Sequence, residues 1–220
     1  MILLKDILYK VSLEKVVGNT AMAFRELHFD SREVGLDDVF IAIKGTQSDG
    51  HAYVAKAVNQ GALAVICEQM PKKIVNGITY VQVSDSQQAL AIMASNFYGN
   101  PSEQLQLVGV TGTNGKTTIA TLLYTLFTSA GYEVGLLSTI KIMIGKLQYA
   151  ATHTTPDSLT INKHLREMVD AGVEFCFMEV SSHVIHQKRT EGLLFAGGVF
   201  TNLSHDHLAY NNDFTEYRTV

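Results

Sequence analysis

The stretch Thr111-Gly112-Thr113-Asn114-Gly115-Lys116-Thr117-Thr118 follows a short apolar run at residues 105–110 and precedes a helical pattern. Glycines let the backbone bend tightly and aim successive N–H groups at phosphate oxygens, and a helix start adds partial positive charge. We therefore predict a phosphate-binding loop in which Lys116 reaches the outer phosphates and the Thr117 hydroxyl ligates Mg²⁺. The strict P-loop pattern requires glycine where this chain has Val110, so an ordinary glycine-rich turn remains the alternative.

The residues after this loop predict a β–α–β unit. A strand at 132–138 follows the helical pattern, and such units form parallel sheets with right-handed crossovers. A helix at 158–171, capped by Asp157 or Ser158, and strands at 173–180 and 195–201 continue the alternation. The apolar face predicted for the first helix comprises Ile119, Leu122, Leu123, Leu126, Phe127 and Ala130.

The N-terminal residues predict a smaller α/β domain. Strands are expected at 39–43, 62–67 and 79–83, with a helix at 52–60 closed by Gly61. Asp85 with Gln88 three residues later resembles a capping box that opens a further helix. That helix stops at Gly99-Asn100-Pro101-Ser102, which has linker chemistry. We predict one domain at 1–100 and a parallel-sheet ATPase domain at 101–220.

The composition favours a globular cytoplasmic α/β protein. Apolar residues make up 46% of the 220 residues, and 17 Lys and Arg against 21 Asp and Glu give a net charge of −4. This balance disfavours a nucleic-acid partner. Neither a signal peptide nor a membrane span is expected. Cys67 and Cys176 both lie in apolar runs, so we expect buried, reduced thiols.

Several further motifs accompany the glycine-rich loop. They are Asp30-Ser31-Arg32, residues 38–45, Asp49-Gly50-His51, residues 178–183 with Gln187 and Arg189, and residues 201–208. With these motifs the chain resembles the Mur ligases, which add amino acids to the peptidoglycan precursor, and it is most similar to the branch that makes the UDP-N-acetylmuramoyl-tripeptide. Folylpolyglutamate synthetases share such a loop but lack the N-terminal uridine-nucleotide domain that the resemblance implies.

The resemblance implies an ATP- and Mg²⁺-dependent ligase. It would add L-lysine or meso-diaminopimelate to UDP-MurNAc-L-Ala-D-Glu through an acyl phosphate, acting as a monomer on this substrate and a free amino acid. Which amino acid is used stays open, because that choice is made in a C-terminal domain that is not in the sequence. The alternatives are the next ligase of the pathway, which shares the first domain, and a non-catalytic nucleotide-binding fragment.

The resemblance also implies roles for single residues. Gly112 to Thr118 would hold ATP; Lys116, Glu179 and His207 would be catalytic; and Thr117, Glu179 and His207 would bind metal. The substrate would be held by Phe29, Ser31, Thr46, Gln47, Ser48, Thr154, Thr155, Ser181, Gln187 and Arg189.

The residues alone leave alternatives open for these roles. Glu179 ends a predicted buried strand, where a carboxylate faces the ligand crevice, but a capping or ion-paired glutamate is the other interpretation. A lone histidine such as His207 in a polar loop is usually solvated. The Asp30-Ser31-Arg32 segment could be a turn with a solvated ion pair, and Thr154-Thr155-Pro156 could simply initiate a helix.

The end of the chain departs from the family pattern. Residues 209–211 read Ala-Tyr-Asn where the family usually has an acid followed by an aromatic–histidine pair. Asp213-Phe214-Thr215-Glu216 predicts the start of a helix. The family's carbamoylated lysine would fall immediately after Val220, so we expect a fragment of a longer protein.

Overall fold

The computed structural model describes residues 2–45, 48–150 and 156–204. The chain divides into two compact units, 1–97 and 98–220. Each unit is built on its own sheet, and in each sheet most neighbouring strands are parallel. The predicted α/β class is therefore confirmed.

The elements of the N-terminal unit are α1 (Leu4–Ile7), β1 (Leu13–Val17), β2 (Leu27–His28), β3 (Val39–Ile41), α2 (Val54–Gln60), β4 (Ala64–Cys67), β5 (Thr79–Val83) and α3 (Ser86–Phe97). A short 3-10 turn, Gly50–Tyr53, precedes α2. The strands form a five-stranded sheet in the order β1-β5-β4-β3-β2. Strand β1 is antiparallel to β5, and the other neighbours are parallel.

Buried strands and capped helix ends account for the secondary structure of this unit. Every residue of β3 and β4 is buried, as expected for central parallel strands covered on both faces. Helix α2 ends at Gly61, whose φ of 111° is accessible mainly to glycine. At the start of α3, Asp85 Oδ1 accepts the Gln88 N–H at 2.9 Å, so the predicted N-cap is confirmed.

The elements of the C-terminal unit are β6 (Gln106–Thr111), α4 (Lys116–Ser129), β7 (Val134–Leu137), β8 (Lys141–Ile144), β9 (Leu147–Ala150), α5 (Ser158–Asp170), β10 (Phe175–Glu179), α6 (Ser182–His186) and β11 (Gly197–Phe200). The strands form a six-stranded sheet in the order β11-β6-β10-β7-β8-β9. The first four strands in this order are parallel, while β8 and β9 form a hairpin in which β8 pairs antiparallel with β7.

Helix α4 packs on this sheet through a narrower face than predicted. Ala120 is fully buried, and the Phe127 ring lies 4.8 Å from that of Phe175 and 5.1 Å from that of Phe177. The prediction that Leu122 and Leu126 also face the core is wrong, since they are 58% and 61% exposed. Both leucines lie to one side of the residues that contact the sheet. The predicted apolar face is therefore wider than the face that packs.

Several predicted boundaries need correction. The strand expected at 39–43 ends at Ile41, and the helix expected at 52–60 begins as the 3-10 turn before α2. The β8–β9 hairpin, helix α1, strands β1 and β2 and the five-residue α6 were not predicted. At the start of α5, Asp157 rather than Ser158 is the cap, since its Oδ1 accepts the Thr160 N–H at 3.0 Å.

Both cysteines are buried and unpaired, as expected. Burial raises the pKa of the Cys67 thiol to about 11 and also raises that of Cys176. Among the residues with described coordinates, no helix combines the length and apolarity needed to cross a membrane.

Candidate functional site

The loop between β6 and α4 depends on two glycines in left-handed backbone conformations. Gly112 has a φ of 128° and Gly115 a φ of 86°. A Cβ atom on Gly112 would collide with the Thr201 hydroxyl and the Asn202 backbone, whereas one on Gly115 would meet open space. Gly112 thus permits the close approach of a second segment to the loop.

That second segment is the end of β11 and the residues after it. The Thr113 N–H donates to the Asn202 carbonyl at 2.9 Å, and the Asn114 N–H donates to Asn202 Oδ1 at 3.0 Å. In return, the Thr201 hydroxyl donates to the Asn114 carbonyl at 2.6 Å. Hydrogen bonds between residues 201–202 and the loop backbone therefore help to fix the shape of the loop.

The first turn of α4 has no side-chain cap among the described residues. Its N-cap residue is Gly115, which offers no oxygen to the helix. The N–H groups of Lys116, Thr117 and Thr118 lie in the first turn, where no intrahelical carbonyl can accept them. These donors and the helix dipole together suit an anion.

Lys116 lies over the loop that it follows. Its Nζ donates to the carbonyl of Gly112 at 2.8 Å and to that of Thr113 at 3.0 Å. Both acceptors are neutral, so the ammonium charge is available to an anion placed at the start of α4.

Thr117 and Glu179 meet at the carboxyl edge of the sheet, because β6 and β10 are parallel neighbours with Val110 opposite Glu179. The Thr117 hydroxyl donates to Glu179 Oε2 at 2.9 Å, and the Thr139 N–H donates to Glu179 Oε1 at 3.2 Å. Glu179 is only 5% exposed, and no cationic side chain of the described residues pairs with it.

The donor chemistry of this pair fits Mg²⁺. A threonine hydroxyl and a carboxylate are the hard oxygen ligands that the ion prefers, and a cation would compensate a buried carboxylate. Within the described ranges, no cluster of three or more His, Cys, Asp or Glu side chains surrounds a metal position. The pair therefore supplies part of a coordination sphere, with remaining positions for water or phosphate oxygens. A small pocket adjoins it, lined by Leu137, Ser138, Thr139, Ile142, Pro156, Ile161, Met178 and Glu179.

Three predicted substrate residues follow β10. Ser181 caps α6 by accepting the Val184 N–H. Gln187 and Arg189 lie beyond the helix, and an Arg189 Nη donates to the Gln187 side-chain oxygen. Partial burial lowers the pKa of the Arg189 guanidinium from its ordinary value, although the group stays charged at any physiological pH.

In the N-terminal unit, the parallel pairing of β2 and β3 brings predicted nucleotide residues to one sheet edge. Phe29 and Ser31 follow β2, and Ser48 lies beyond β3. Phe29 is 37% exposed, whereas Ser31 is 7% exposed. The Ser48 carbonyl accepts the Gly45 N–H at 3.0 Å, which closes the loop after β3.

The remaining predicted residues lie outside the described part of the chain. They are Thr46, Gln47, Thr154, Thr155 and His207, together with the helix predicted from Asp213.

Sequence reasoning did not assign roles to three residues at the loop. Thr201 and Asn202 hold the loop backbone, and the Thr139 amide holds Glu179. A usable signal existed for Asn202, because a polar residue just after a strand parallel to β6 must lie at the same sheet edge as the loop.

At the start of α4, an open helix terminus follows a glycine-rich loop, with Lys116 above it and the Thr117–Glu179 pair beside it. This arrangement is typical of phosphate-binding loops. Comparison with models of protein families identifies the family. Residues 110–220 match the Mur ligase middle domain, and residues 24–98 match the Mur ligase family catalytic domain. The chain belongs to the Mur ligase family.

Similar proteins agree with this assignment. A UDP-N-acetylmuramoyl-L-alanyl-D-glutamate--2,6-diaminopimelate ligase of Cytophaga hutchinsonii is 52% identical over 97% of this chain and 44% of its own length. A protein of the same name from Bacteroides fragilis is 51% identical with the same two coverages. The chain thus spans less than half the length of these curated relatives.

Solved structures show the same architecture. A structure of a UDP-N-acetylmuramoyl-L-alanyl-D-glutamate--2,6-diaminopimelate ligase matches with a TM-score of 0.80 and 27% identity, over 99% of this chain and 43% of that one. The MurF ligase of Thermotoga maritima in complex with ADP matches with a TM-score of 0.57 and 26% identity, over 89% and 41%.

Proposed function

We propose that this chain carries the nucleotide-binding and part of the catalytic machinery of an ATP-dependent amide ligase of peptidoglycan synthesis. The ligase adds the third amino acid to UDP-MurNAc-L-Ala-D-Glu. The observation that carries the proposal is the contact of Thr117 with buried Glu179 beside the uncapped start of α4. The names of the similar proteins support this choice of substrate.

The reaction has two steps. A terminal carboxylate oxygen of the UDP-linked dipeptide attacks the γ-phosphorus of ATP, which forms an acyl phosphate and releases ADP. The amine of the incoming amino acid then attacks the acyl carbon, expelling inorganic phosphate and losing a proton as the amide forms.

The residues of this chain stabilise the first step by position and charge. The N–H groups at the start of α4 hold phosphate oxygens, and Lys116 exchanges its two carbonyl partners for the outer phosphates. Thr117, Glu179 and His207 would hold Mg²⁺, which supplies charge neutralisation when bound. Phosphoryl transfer needs little covalent chemistry from the protein, so these fixed donors carry most of its contribution.

In this proposal each unit binds its own part of the substrate. The N-terminal domain, 1–100, binds the uridine nucleotide through Phe29, Ser31, Thr46, Gln47 and Ser48. The domain at 101–220 binds the peptide end through Thr154, Thr155, Ser181, Gln187 and Arg189. An arginine suits a carboxylate or a diphosphate, because its fixed fork can donate two parallel hydrogen bonds.

The incoming amino acid is meso-diaminopimelate in our proposal. The names of the relatives favour it over L-lysine. Because ATP and a UDP-linked precursor are its substrates, we place the enzyme in the cytoplasm. We also propose a monomer, which size-exclusion chromatography coupled to light scattering would test.

Phosphate release by the full-length protein tests the function. With ATP, Mg²⁺, UDP-MurNAc-L-Ala-D-Glu and meso-diaminopimelate, we expect release together with formation of the tripeptide product. L-Lysine in place of diaminopimelate tests the amino-acid choice. Turnover only with UDP-MurNAc-tripeptide and D-Ala-D-Ala would instead identify the next ligase of the pathway. Nucleotide binding without release in either mixture would contradict a ligase function.

A further inference from the structure

The side chains after β10 form a hydrogen-bonded relay that joins the proposed substrate residues Gln187 and Arg189 to His183, which has no role in the function proposed above. Helix α6 is followed by Lys188, whose φ of 54° turns the chain back, and the Arg189 N–H donates to the Val184 carbonyl at 3.0 Å. This turn brings three side chains into line. The Nε2 of His183 lies 2.7 Å from the Nε2 of Gln187, and Arg189 Nη2 donates to the oxygen of the same amide.

The chemistry of the three groups fixes the direction of each hydrogen bond. A guanidinium can only donate, so the amide oxygen of Gln187 must face Arg189. The amide nitrogen of Gln187 then faces His183 and can only donate. His183 Nε2 must therefore accept, which requires a neutral ring with its proton on Nδ1.

We propose that His183 is a positioning residue for the peptide substrate, acting through Gln187 to aim Arg189 at a substrate anion. The inference rests on the proposed function, since it presumes that Arg189 receives a carboxylate or phosphate. The same guanidinium also makes a long contact, from Nη1 to the Pro156 carbonyl at 3.5 Å. A long side chain gains pre-organisation when the amide that orients it is itself held in place.

The relay is sensitive to protonation of His183. A proton on Nε2 would oppose the Gln187 NH₂ group. Turning the amide over would satisfy His183 but would point NH₂ at Arg189 and break that bond. Arg189 and His186 are the described cationic groups that act on His183, and Asp157 acts in turn on Arg189.

At neutral pH the hydrogen bonds of the relay are intact. Partial burial, and next the charges of Arg189 and His186, lower the pKa of His183 from its ordinary value. The neutral ring therefore predominates at neutral pH. As the pH falls through this lowered pKa, the ring becomes charged and Arg189 loses its support.

Two substitutions in the full-length ligase test the role. His183→Leu keeps bulk but removes the acceptor, whereas His183→Gln places an oxygen the same number of bonds from Cα as Nε2. We expect His183→Leu to raise the KM for UDP-MurNAc-L-Ala-D-Glu about tenfold, which corresponds to the free energy of one lost hydrogen bond. The kcat and the KM for ATP should be nearly unchanged. His183→Gln should restore the wild-type KM. His186→Gln, at an exposed position of the same helix, removes a charge that acts on His183 but no hydrogen bond of the relay; it is the matched control and should leave the KM at neutral pH unchanged.

The pH profile provides a second readout that does not depend on the leucine variant folding. The wild-type KM should rise on the acid side of neutrality, and His183→Gln should remove that rise. The proposal is overturned if the two variants raise KM equally, if only kcat falls, or if the acid rise persists in His183→Gln. Absence of dipeptide-dependent turnover in the wild type overturns it together with the proposed function, and the wild-type assay alone identifies that case.

Discussion

The starts of helices α3 and α4 show two ways of treating the free N–H groups of a helix. At α3, two carboxylates accept them, because Asp85 accepts the Gln88 N–H at 2.9 Å and Glu68 accepts the Ser86 N–H at 2.9 Å. At α4, the N-cap is Gly115 and no side chain of the described residues caps the helix. Both helices follow a strand in a largely parallel sheet, so the difference lies in the residues at the turn and not in the architecture.

A capped and an uncapped helix start suit different roles. A carboxylate cap stabilises a helix by roughly 1 kcal/mol, and α4 forgoes that gain. An uncapped start that retains a neighbouring lysine is instead suited to an anion brought from solution. Four changes test this distinction, beginning with the largest expected effect.

Removal of the ammonium at the uncapped start should have the largest effect. Lys116→Ala in the full-length protein is expected to lower ATP turnover by about three orders of magnitude, because a charge aimed at the transferring phosphate is lost. Uridine-nucleotide binding, measured by calorimetry, should persist. Lys146→Ala, on the exposed hairpin turn, is the control and should behave as the wild type. Undiminished turnover of Lys116→Ala would show that the α4 start is not the ATP site.

A side chain at Gly112 should disrupt the loop itself. Gly112 and Gly172 both have positive φ, but a Cβ has space at Gly172 and collides with Thr201 and Asn202 at Gly112. We expect Gly172→Ala to cost about 1 kcal/mol from backbone strain alone. Gly112→Ala should cost roughly 3 kcal/mol or more and should abolish ATP binding, because hydrogen bonds to the loop are also lost.

Urea unfolding of the two alanine variants, with nucleotide binding in parallel, measures this difference. Equal free energies of unfolding for both variants would show that the approach of residues 201–202 to the loop is not tight.

Removal of a cap from α3 should affect stability without affecting the ATP site. Asp85→Ala is expected to lower the free energy of unfolding by about 1 kcal/mol, and Asp85→Ser should recover most of it, because serine also accepts an N-terminal N–H. The KM for ATP should stay constant in both variants. A changed KM would mean that the α3 start contributes to nucleotide binding and would remove the distinction.

The smallest effect on stability is expected for Asp30, whose carboxylate pairs with the Arg32 side chain and not with the start of a helix. The hydrogen bond from the Arg32 guanidinium, and next that from the Arg32 N–H, lower the pKa of Asp30 to about 2. A depressed folded-state pKa stabilises the protein above the unfolded value near 3.9, and the gain is lost as the pH falls towards about 2. Arg32→Ala should make that acid-side loss smaller.

The size of this effect is limited because the pair is exposed and screened by salt. Acid titrations of unfolding at low and high salt compare the two proteins. A difference that grows at high salt would contradict an electrostatic origin.

The sequence allowed the strongly periodic elements and the place of the glycine-rich loop between β6 and α4 to be predicted, because these depend on residues close together in the chain, whereas the bonds from residues 201–202 that shape the loop do not. Strand β5 and the end of β10 at Glu179 lie where they were expected. The β8–β9 hairpin was missed although Gly145-Lys146 separates two alternating runs, a hairpin signal. The exposure of Leu122 and Leu126 could not be predicted, because the period of an apolar pattern wider than the packed face does not tell which part of it contacts the sheet.

The tie between the loop and residues 201–204 has a consequence for the order of folding. Asn114 and Asn202 are 88 positions apart, yet their hydrogen bond helps to set the loop backbone. During synthesis, β6 and α4 can form as soon as they emerge, but the loop between them lacks its partners until almost ninety further residues have been added. The loop therefore reaches its final shape only after β11 has joined the sheet, late in the folding of this unit.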